Sequence, residues 1–196
     1  MSESNRNNPF DLFAAWKKEW DATSPKEPDA MALSTADNNG RISSRIVLLK
    51  GVDKRGFVFY TNYESRKGID LNENPQAALL FYWPELSRQV RIEGRVLKVA
   101  PDTSDAYFNS RPRESRIGAL ASKQSREIGS YDELIDKVKE LSDRYPDDEI
   151  PRPSWWGGFI VIPTRFEFWE EGDFRLHHRT LFEKDGPDWV STLLYP

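Results

Sequence analysis

Along the chain, the spacing of apolar positions switches between helical and strand-like periods. From Pro9 it is helical: Phe13, Trp16 and Trp20 fall on one stripe, as in a helix that buries a single face. Asn8 before Pro9 is a capping pair, and Asp11 stands in the first turn, where the helix dipole favours an anion. From Ala30 a period of two takes over. Ala30–Ala36 closes on Asp37-Asn38-Asn39-Gly40, residues that tolerate left-handed turns. Ile42–Lys50 and Phe57–Asn62 follow, with Asp53-Lys54-Arg55-Gly56 between them, which predicts an antiparallel meander. Ser65 opens a short helix over Arg66–Asn72 that stops before Pro75, and Ala77–Trp83 and Gln89–Val99 are two further strands.

Helical spacing returns over Pro101–Asn109 and Ser115–Ala121. Ser130-Tyr131-Asp132-Glu133 is a capping box that starts a helix ending near Tyr145. A proline-rich, acidic linker over Pro146–Pro153 leads into strands at Phe159–Ile162, Arg165–Trp169, Arg175–Phe182 and Trp189–Leu194. Many short strands with a few helices predict a mainly β fold, an antiparallel barrel decorated by peripheral helices. Met1–Asn8 is polar and expected to be disordered, leaving residues 9–196 as a single domain.

Composition narrows the chemistry. The 196 residues are 13% aromatic, as in a packed globular protein, and carry a net charge of −4, which argues against general nucleic-acid binding. There are no cysteines and only two histidines, His177 and His178, so disulfides, thiol catalysis, metal–thiolate and His-rich metal sites are excluded. No apolar run approaches the ~20 residues of a membrane span and no signal-peptide core is present, so a cytoplasmic protein is expected. No G-x-G-x-x-G follows a strand and no Walker lysine occurs, so neither dinucleotide nor P-loop folds are supported.

On this acidic protein the cations are clustered. Arg45 and Lys50 sit at the ends of one strand, and Ser65-Arg66-Lys67 opens a helix whose free N–H groups suit a phosphate. In a regular strand Arg45 and Lys50 face opposite ways, so they meet one ligand only if the strand ends or bends near Lys50 or the ligand wraps the strand end; otherwise they serve two subsites. Tyr107 and Arg111 are four residues apart and Ser115 four further on, one face of a helix if Pro112 allows it, and a phenol, guanidinium and hydroxyl in a row can ligate a second phosphate. In Arg175-Leu176-His177-His178-Arg179, strand alternation puts Arg175, His177 and Arg179 on one face and His178 on the other. Two cations beside an imidazole offer an anion site and a proton donor, and this selects His177 over His178. The aromatic pieces around Trp155-Trp156 and Trp169 read as core.

Together these pieces resemble the pyridoxine/pyridoxamine 5′-phosphate oxidase family: R-I-V-L-L-K (45–50), F-Y-T-N-x-x-S-R-K (59–67), R-Q-V (88–90), Y-F-N-S-R-P-R-E-S (107–115), S-K-Q-S (122–125), P-S-W-W-G-G-F (153–159), E-F-W (167–169) and R-L-H-H-R (175–179). The resemblance implies an FMN-binding split β-barrel with Greek-key-like topology and a homodimer with active sites at the subunit interface. It implies an oxidase that converts pyridoxine and pyridoxamine 5′-phosphates to pyridoxal 5′-phosphate with O₂ and releases H₂O₂.

By motif position FMN falls to Arg45, Ile46, Val47, Leu48, Leu49, Lys50, Tyr60, Thr61, Arg66, Lys67 and Gln89, with Gln124 and Ser125 from the partner subunit and Trp169 and Arg179 completing the site. Substrate phosphate falls to Lys50, Tyr107, Arg111 and Ser115, and the pyridine ring to the catalytic pair Arg175 and His177. Three departures accompany the match. Only eight polar residues precede the first helix, so the family's N-terminal lid is expected to be missing or replaced. His178 stands where the family has aspartate, and Leu193 where it has arginine. The alternatives are a flavin oxidase acting on another substrate, such as those of phenazine pathways, and a non-catalytic FMN- or pyridoxal-phosphate-binding protein.

Overall fold

The computed structural model describes residues 8–196. The segment expected to be disordered therefore lies outside the described residues except for Asn8, whose Oδ1 accepts the Phe10 N–H at 3.0 Å and caps the first helix. In chain order the elements are α1 (Pro9–Ala22), β1 (Ala30–Ala36), β2 (Ile42–Leu48), β3 (Gly51–Asp53), β4 (Gly56–Asn62), α2 (Arg66–Glu73) and β5 (Gln76–Trp83). Then come β6 (Arg88–Lys98), α3 (Pro101–Ser110), α4 (Arg113–Ala121), α5 (Tyr131–Arg144), β7 (Trp156–Glu170), β8 (His178–Asp185) and β9 (Asp188–Leu194). No helix among the described residues is long and apolar enough to cross a membrane.

The strands form one antiparallel sheet in the order β2-β1-β5-β6-β7-β4-β3, with β8 paired to β7 and β9 to β8. Only Leu49 and Lys50 separate β2, at one edge, from β3, at the other. So short a link forces the two edges side by side, which curls the sheet into an antiparallel half-barrel of the expected class. α1 plugs it. Phe13 meets Phe57 and Phe81 edge-on at 4.9 and 5.0 Å, Trp16 meets Phe168 at 5.2 Å, and Trp20 stacks on Trp83 at 6.4 Å. The aromatic stripe read from the sequence is thus core, each buried ring contributing about 2–3 kcal/mol. A second apolar cluster, Phe108, Ile117, Leu141, Ile150 and Trp156, lies beneath α3, α4 and α5.

Two expectations are corrected here. Phe159–Ile162 and Arg165–Trp169 are one strand of 15 residues, β7. One edge of β7 runs along β6; the other pairs with β4 over residues 156–161 and with β8 over residues 165–170. Pro163, between the two expected strands, falls in the gap between those two partners and opposite a bulge at Glu93/Gly94, so its missing N–H is not needed there. The second correction concerns Arg175–Phe182. Pairing starts only at His178, because Phe174 and Arg175 adopt left-handed φ of 54° and 65° in a tight 3₁₀ turn.

Candidate active site

The first group of site residues gathers where β4 runs into α2. Ser65 caps α2: its Oγ accepts the Gly68 N–H at 3.4 Å and donates to Asn62 O at 2.6 Å. Gly68 is required by close approach, since a Cβ there would lie 2.3 Å from Tyr63 O. The turn brings Lys67 Nζ to Thr61 Oγ1 at 3.2 Å, Ser65 Oγ at 3.3 Å and Gln124 Oε1 at 2.9 Å. None of these acceptors is charged. Burial, reinforced by the nearby Arg45 charge, pushes Lys67 down to about 8.

Arg45 lies on the inner face of β2, donating to Leu33 O at 3.1 Å, to Thr35 Oγ1 at 2.8 Å and to Ser43 Oγ. Its counter-ion is Asp70, buried in α2, which accepts from Thr35 at 2.6 Å and Ser43 at 3.2 Å and stands 3.9 Å from the guanidinium. Burial lowers the Arg45 pKa, Asp70 opposes the shift, and Arg66 at the start of α2 adds to it. Ile46 and Leu48 point outward and are exposed, Val47 is half-buried and Leu49 is buried. Gln124 reaches Lys67 and Thr61 within the same chain, rather than from a partner; Ser125 beside it is exposed, with a left-handed φ of 69°.

A second group adjoins the first through β4, where Tyr60 precedes Thr61. Tyr60 stacks on Tyr107 at 3.9 Å and on Trp156 at 5.5 Å, and the Arg111 guanidinium lies 4.7 Å from the Trp156 ring centroid. Arg111 Nη1 is buried with no acceptor among the described residues. Burial lowers the Arg111 pKa, which Tyr107 opposes and Arg116 reinforces; burial likewise raises both tyrosines.

The single helix face proposed for Tyr107, Arg111 and Ser115 does not form. α3 ends at Ser110, Arg111 caps it in an extended conformation, and Ser115 sits exposed on α4. Pro112 is the cause, since it disfavours helical backbone in the residue before it. Lys50 lies past the end of β2, exposed, with Nζ 3.7 Å from Asp29, a carboxylate that also raises Tyr107. Lys50 and Tyr107 therefore sit around the same acid. The neighbouring arginines are structural: Arg113 donates to Ser142 and Tyr145 carbonyls at 2.9 and 2.8 Å, and Arg116 pairs with Asp148 at 2.6 Å.

The third group lies at the far end of β7. Trp169 pairs in register with Gln89 on one side and Arg179 on the other. His177 packs on Trp169 at 4.6 Å and its Nδ1 accepts the Gly172 N–H at 3.4 Å. An open pocket of about 740 Å³ beside them is lined by Ser87, Gly172, Phe174, Arg175 and His177 among others. Arg175, His177 and Arg179 are not alternating strand positions, because the left-handed turn precedes them. His177 nevertheless is the histidine that meets Trp169, while His178 is exposed and pairs with Glu170.

Within one chain the sequence-derived residues thus form two sets. Thr61 pairs with Gly157, and twelve residues of β7 at about 3.3 Å each put Trp169 roughly 40 Å further along the strand. Sequence reasoning overlooked Asp29, Asp70 and Glu167. Glu167 left a signal: a lone charge between Phe166 and Phe168, in a strand buried on both faces.

Comparison with known proteins supplies the context. Residues 17–145 match the family described as pyridoxamine 5′-phosphate oxidase, and residues 156–196 the pyridoxine 5′-phosphate oxidase C-terminal dimerisation region. The pyridoxine/pyridoxamine 5′-phosphate oxidase of Gluconobacter oxydans is 51% identical, over 96% of this chain and 94% of that protein. PhzG from Burkholderia lata, solved in complex with tetrahydrophenazine-1-carboxylic acid, is 35% identical with a TM-score of 0.92, covering 97% of this chain and 93% of that one. A pyridoxamine 5′-phosphate oxidase-related, FMN-binding protein from Nostoc punctiforme shares the fold at 16% identity, with a TM-score of 0.78 over 96% of this chain and 98% of that one.

Proposed function

The chain belongs to the pyridoxamine 5′-phosphate oxidase family, and from that premise we propose an FMN-dependent oxidase that turns pyridoxine and pyridoxamine 5′-phosphates into pyridoxal 5′-phosphate. The observation that carries this is a pair of unneutralised cations, Arg111 against the Tyr60–Tyr107–Trp156 stack and Lys67 at the turn from β4 into α2. Lys67 is held by neutral acceptors alone, and Arg111 buries Nη1 with no acceptor among the described residues. A buried donor without a partner is costly unless a ligand supplies one. Two such cations suit a cofactor phosphate and a substrate phosphate.

In this reading Lys67, Arg45, Arg66 and the Ser65-capped start of α2 hold the FMN phosphate, with Thr61 and Gln124 orienting Lys67. FMN, when bound, supplies the two-electron acceptor that O₂ reoxidises with release of H₂O₂. Arg111, Tyr107, Ser115 and Lys50 hold the substrate phosphate; the Trp156 face fixes the guanidinium plane. Gln89, Trp169 and Arg179 border the cofactor, while Arg175 and His177 cover the substrate ring and exclude water. In one chain these last five gather at the C-terminal end of β7, whereas Thr61, which Lys67 contacts, pairs with its N-terminal end. They complete the site in a homodimer, in which each chain lends the far end of its β7 to the other. The match to a C-terminal dimerisation region supports that arrangement.

Purified protein is expected to carry a flavin spectrum and to release peroxide with either phosphorylated vitamer. A yellow protein inert towards both would refute the substrate while leaving the cofactor standing. An activity on non-phosphorylated aromatic acids instead would favour a phenazine-type oxidase.

A further inference from the structure

We infer that Glu167 is a positioning residue: a buried carboxylate that clamps Arg179 so that one edge of its guanidinium faces the cofactor. The inference rests on the reading above that Arg179 borders FMN. Glu167 is 5% exposed, near the C-terminal end of β7, between the fully packed rings of Phe166 and Phe168. A carboxylate is retained in such surroundings only if paired. Two arginines converge on its Oε1, Arg91 from β6 at 2.6 Å and Arg179 from β8 at 2.8 Å.

The two arginines are not equivalent. Arg91 sits directly across from Glu167 in the β6–β7 register and uses one Nη, its side chain 45% exposed. Arg179 is displaced by two positions, opposite Trp169, and is gripped from two sides. Its Nε donates to Glu167 and its Nη1 to Tyr195 O at 2.9 Å. Nη2 has no acceptor among the described residues, so the clamp leaves that edge for a ligand beside Trp169. One arginine would already neutralise Glu167. The second leaves the trio with a net positive charge, which a structural ion pair does not need and a polar flavin edge does.

The experiment compares Glu167→Gln, Arg91→Gln and Arg179→Ala. Each apo-protein is titrated with FMN by flavin fluorescence, thermal unfolding is recorded in parallel, and the bound flavin's reduction potential is measured. Expected are an FMN Kd raised about tenfold or more in Arg179→Ala and a comparable rise in Glu167→Gln. Arg91→Gln, which removes a partner from the same oxygen, should bind FMN within about twofold of the parent. Freed from its clamp, Arg179 should also leave the Glu167→Gln potential lower than the parent's.

Equal FMN affinity in Glu167→Gln and the parent, with Arg179→Ala impaired, overturns the clamp alone. Unchanged affinity in Arg179→Ala overturns the placement of Arg179 at the cofactor, and the clamp with it. A potential that rises in Glu167→Gln marks simple charge removal beside a stationary Arg179 and also overturns the clamp. If Glu167→Gln does not fold, deletion of the exposed Tyr195 and Pro196 loosens the other grip. An FMN affinity there equal to the parent's counts against the clamp.

Discussion

The two ends of β7 handle positive charge in opposite ways. Around Thr61 and Gly157 two cations lack a counter-ion among the described residues, Lys67 on neutral acceptors and Arg111 on a ring face, while Arg45 stands 3.9 Å from the buried Asp70. Around Trp169 every well-held arginine is paired. Arg88 bridges Glu19 and Glu170, and Glu167 takes both Arg91 and Arg179. The first end is an electrostatic deficit that a bound anion relieves. The second is a frame of arginines held on carboxylates, which sets directions. On the proposed function, the contrast assigns binding energy for phosphates to one end and geometry for the ring chemistry to the other.

The strongest test of that contrast is Arg111→Ala. If Arg111 holds the substrate phosphate, removing it should lower kcat/KM for pyridoxine 5′-phosphate by roughly 30- to 1,000-fold, with FMN content unchanged in the absorbance spectrum. A small loss would show that the unpaired Nη1 faces nothing.

Next is Lys67→Met, expected to raise the FMN Kd about 10- to 100-fold. The pH dependence gives a sharper readout. Below about 8, Lys67 is protonated in the apo-protein and meets a phosphate that is dianionic above about pH 6. Above 8, binding must recapture a proton, so affinity should fall by up to about tenfold per pH unit, and this slope should vanish in Lys67→Met. By the same linkage, a lysine depressed from 10.5 disfavours the folded apo-protein while it is charged. Apo stability should therefore rise with pH between about 8 and 10.5.

Gly68→Ala probes how tightly the anion-binding end is built. Its Cβ would meet Tyr63 O at 2.3 Å, so α2 must shift from β4 at a cost of about 1–3 kcal/mol, seen as a lower urea midpoint. The smallest expected effects belong to the framed end. His177→Ala should lower kcat about tenfold, with FMN retained, because the ring packed on Trp169 is lost. His178→Ala, at an exposed position, should change kcat less than twofold. Equal effects would remove the distinction between the two histidines.

Local chemistry was the legible part of the sequence. The turn at Asp37–Gly40, the caps at Asn8, Ser65 and Ser130, and the aromatic stripe of α1 each declare themselves within a few residues, and the structure bears each out. The continuity of β7 was not legible, because Pro163 is harmless only where two neighbouring strands leave a gap, a fact of tertiary pairing. The turn at Phe174–Arg175 was hidden too, since neither residue favours left-handed backbone and only the surrounding structure imposes it. For the candidate site, the cations announced themselves by clustering. Their partners did not: Asp70 lies 25 positions from Arg45, and Glu167 lies 76 and 12 positions from Arg91 and Arg179.

The length of β7 has a genetic consequence. If each chain supplies one end to its own site and the other to its neighbour's, Lys67→Met and His177→Ala damage complementary halves. Either variant alone carries a lesion in both of its sites. Co-expressed in one cell, the two kinds of chain form mixed dimers in which one site collects both lesions and the other collects none. Random pairing should then return about a quarter of parental activity from two crippled parents. That rescue would turn the reach of a single strand into a growth phenotype.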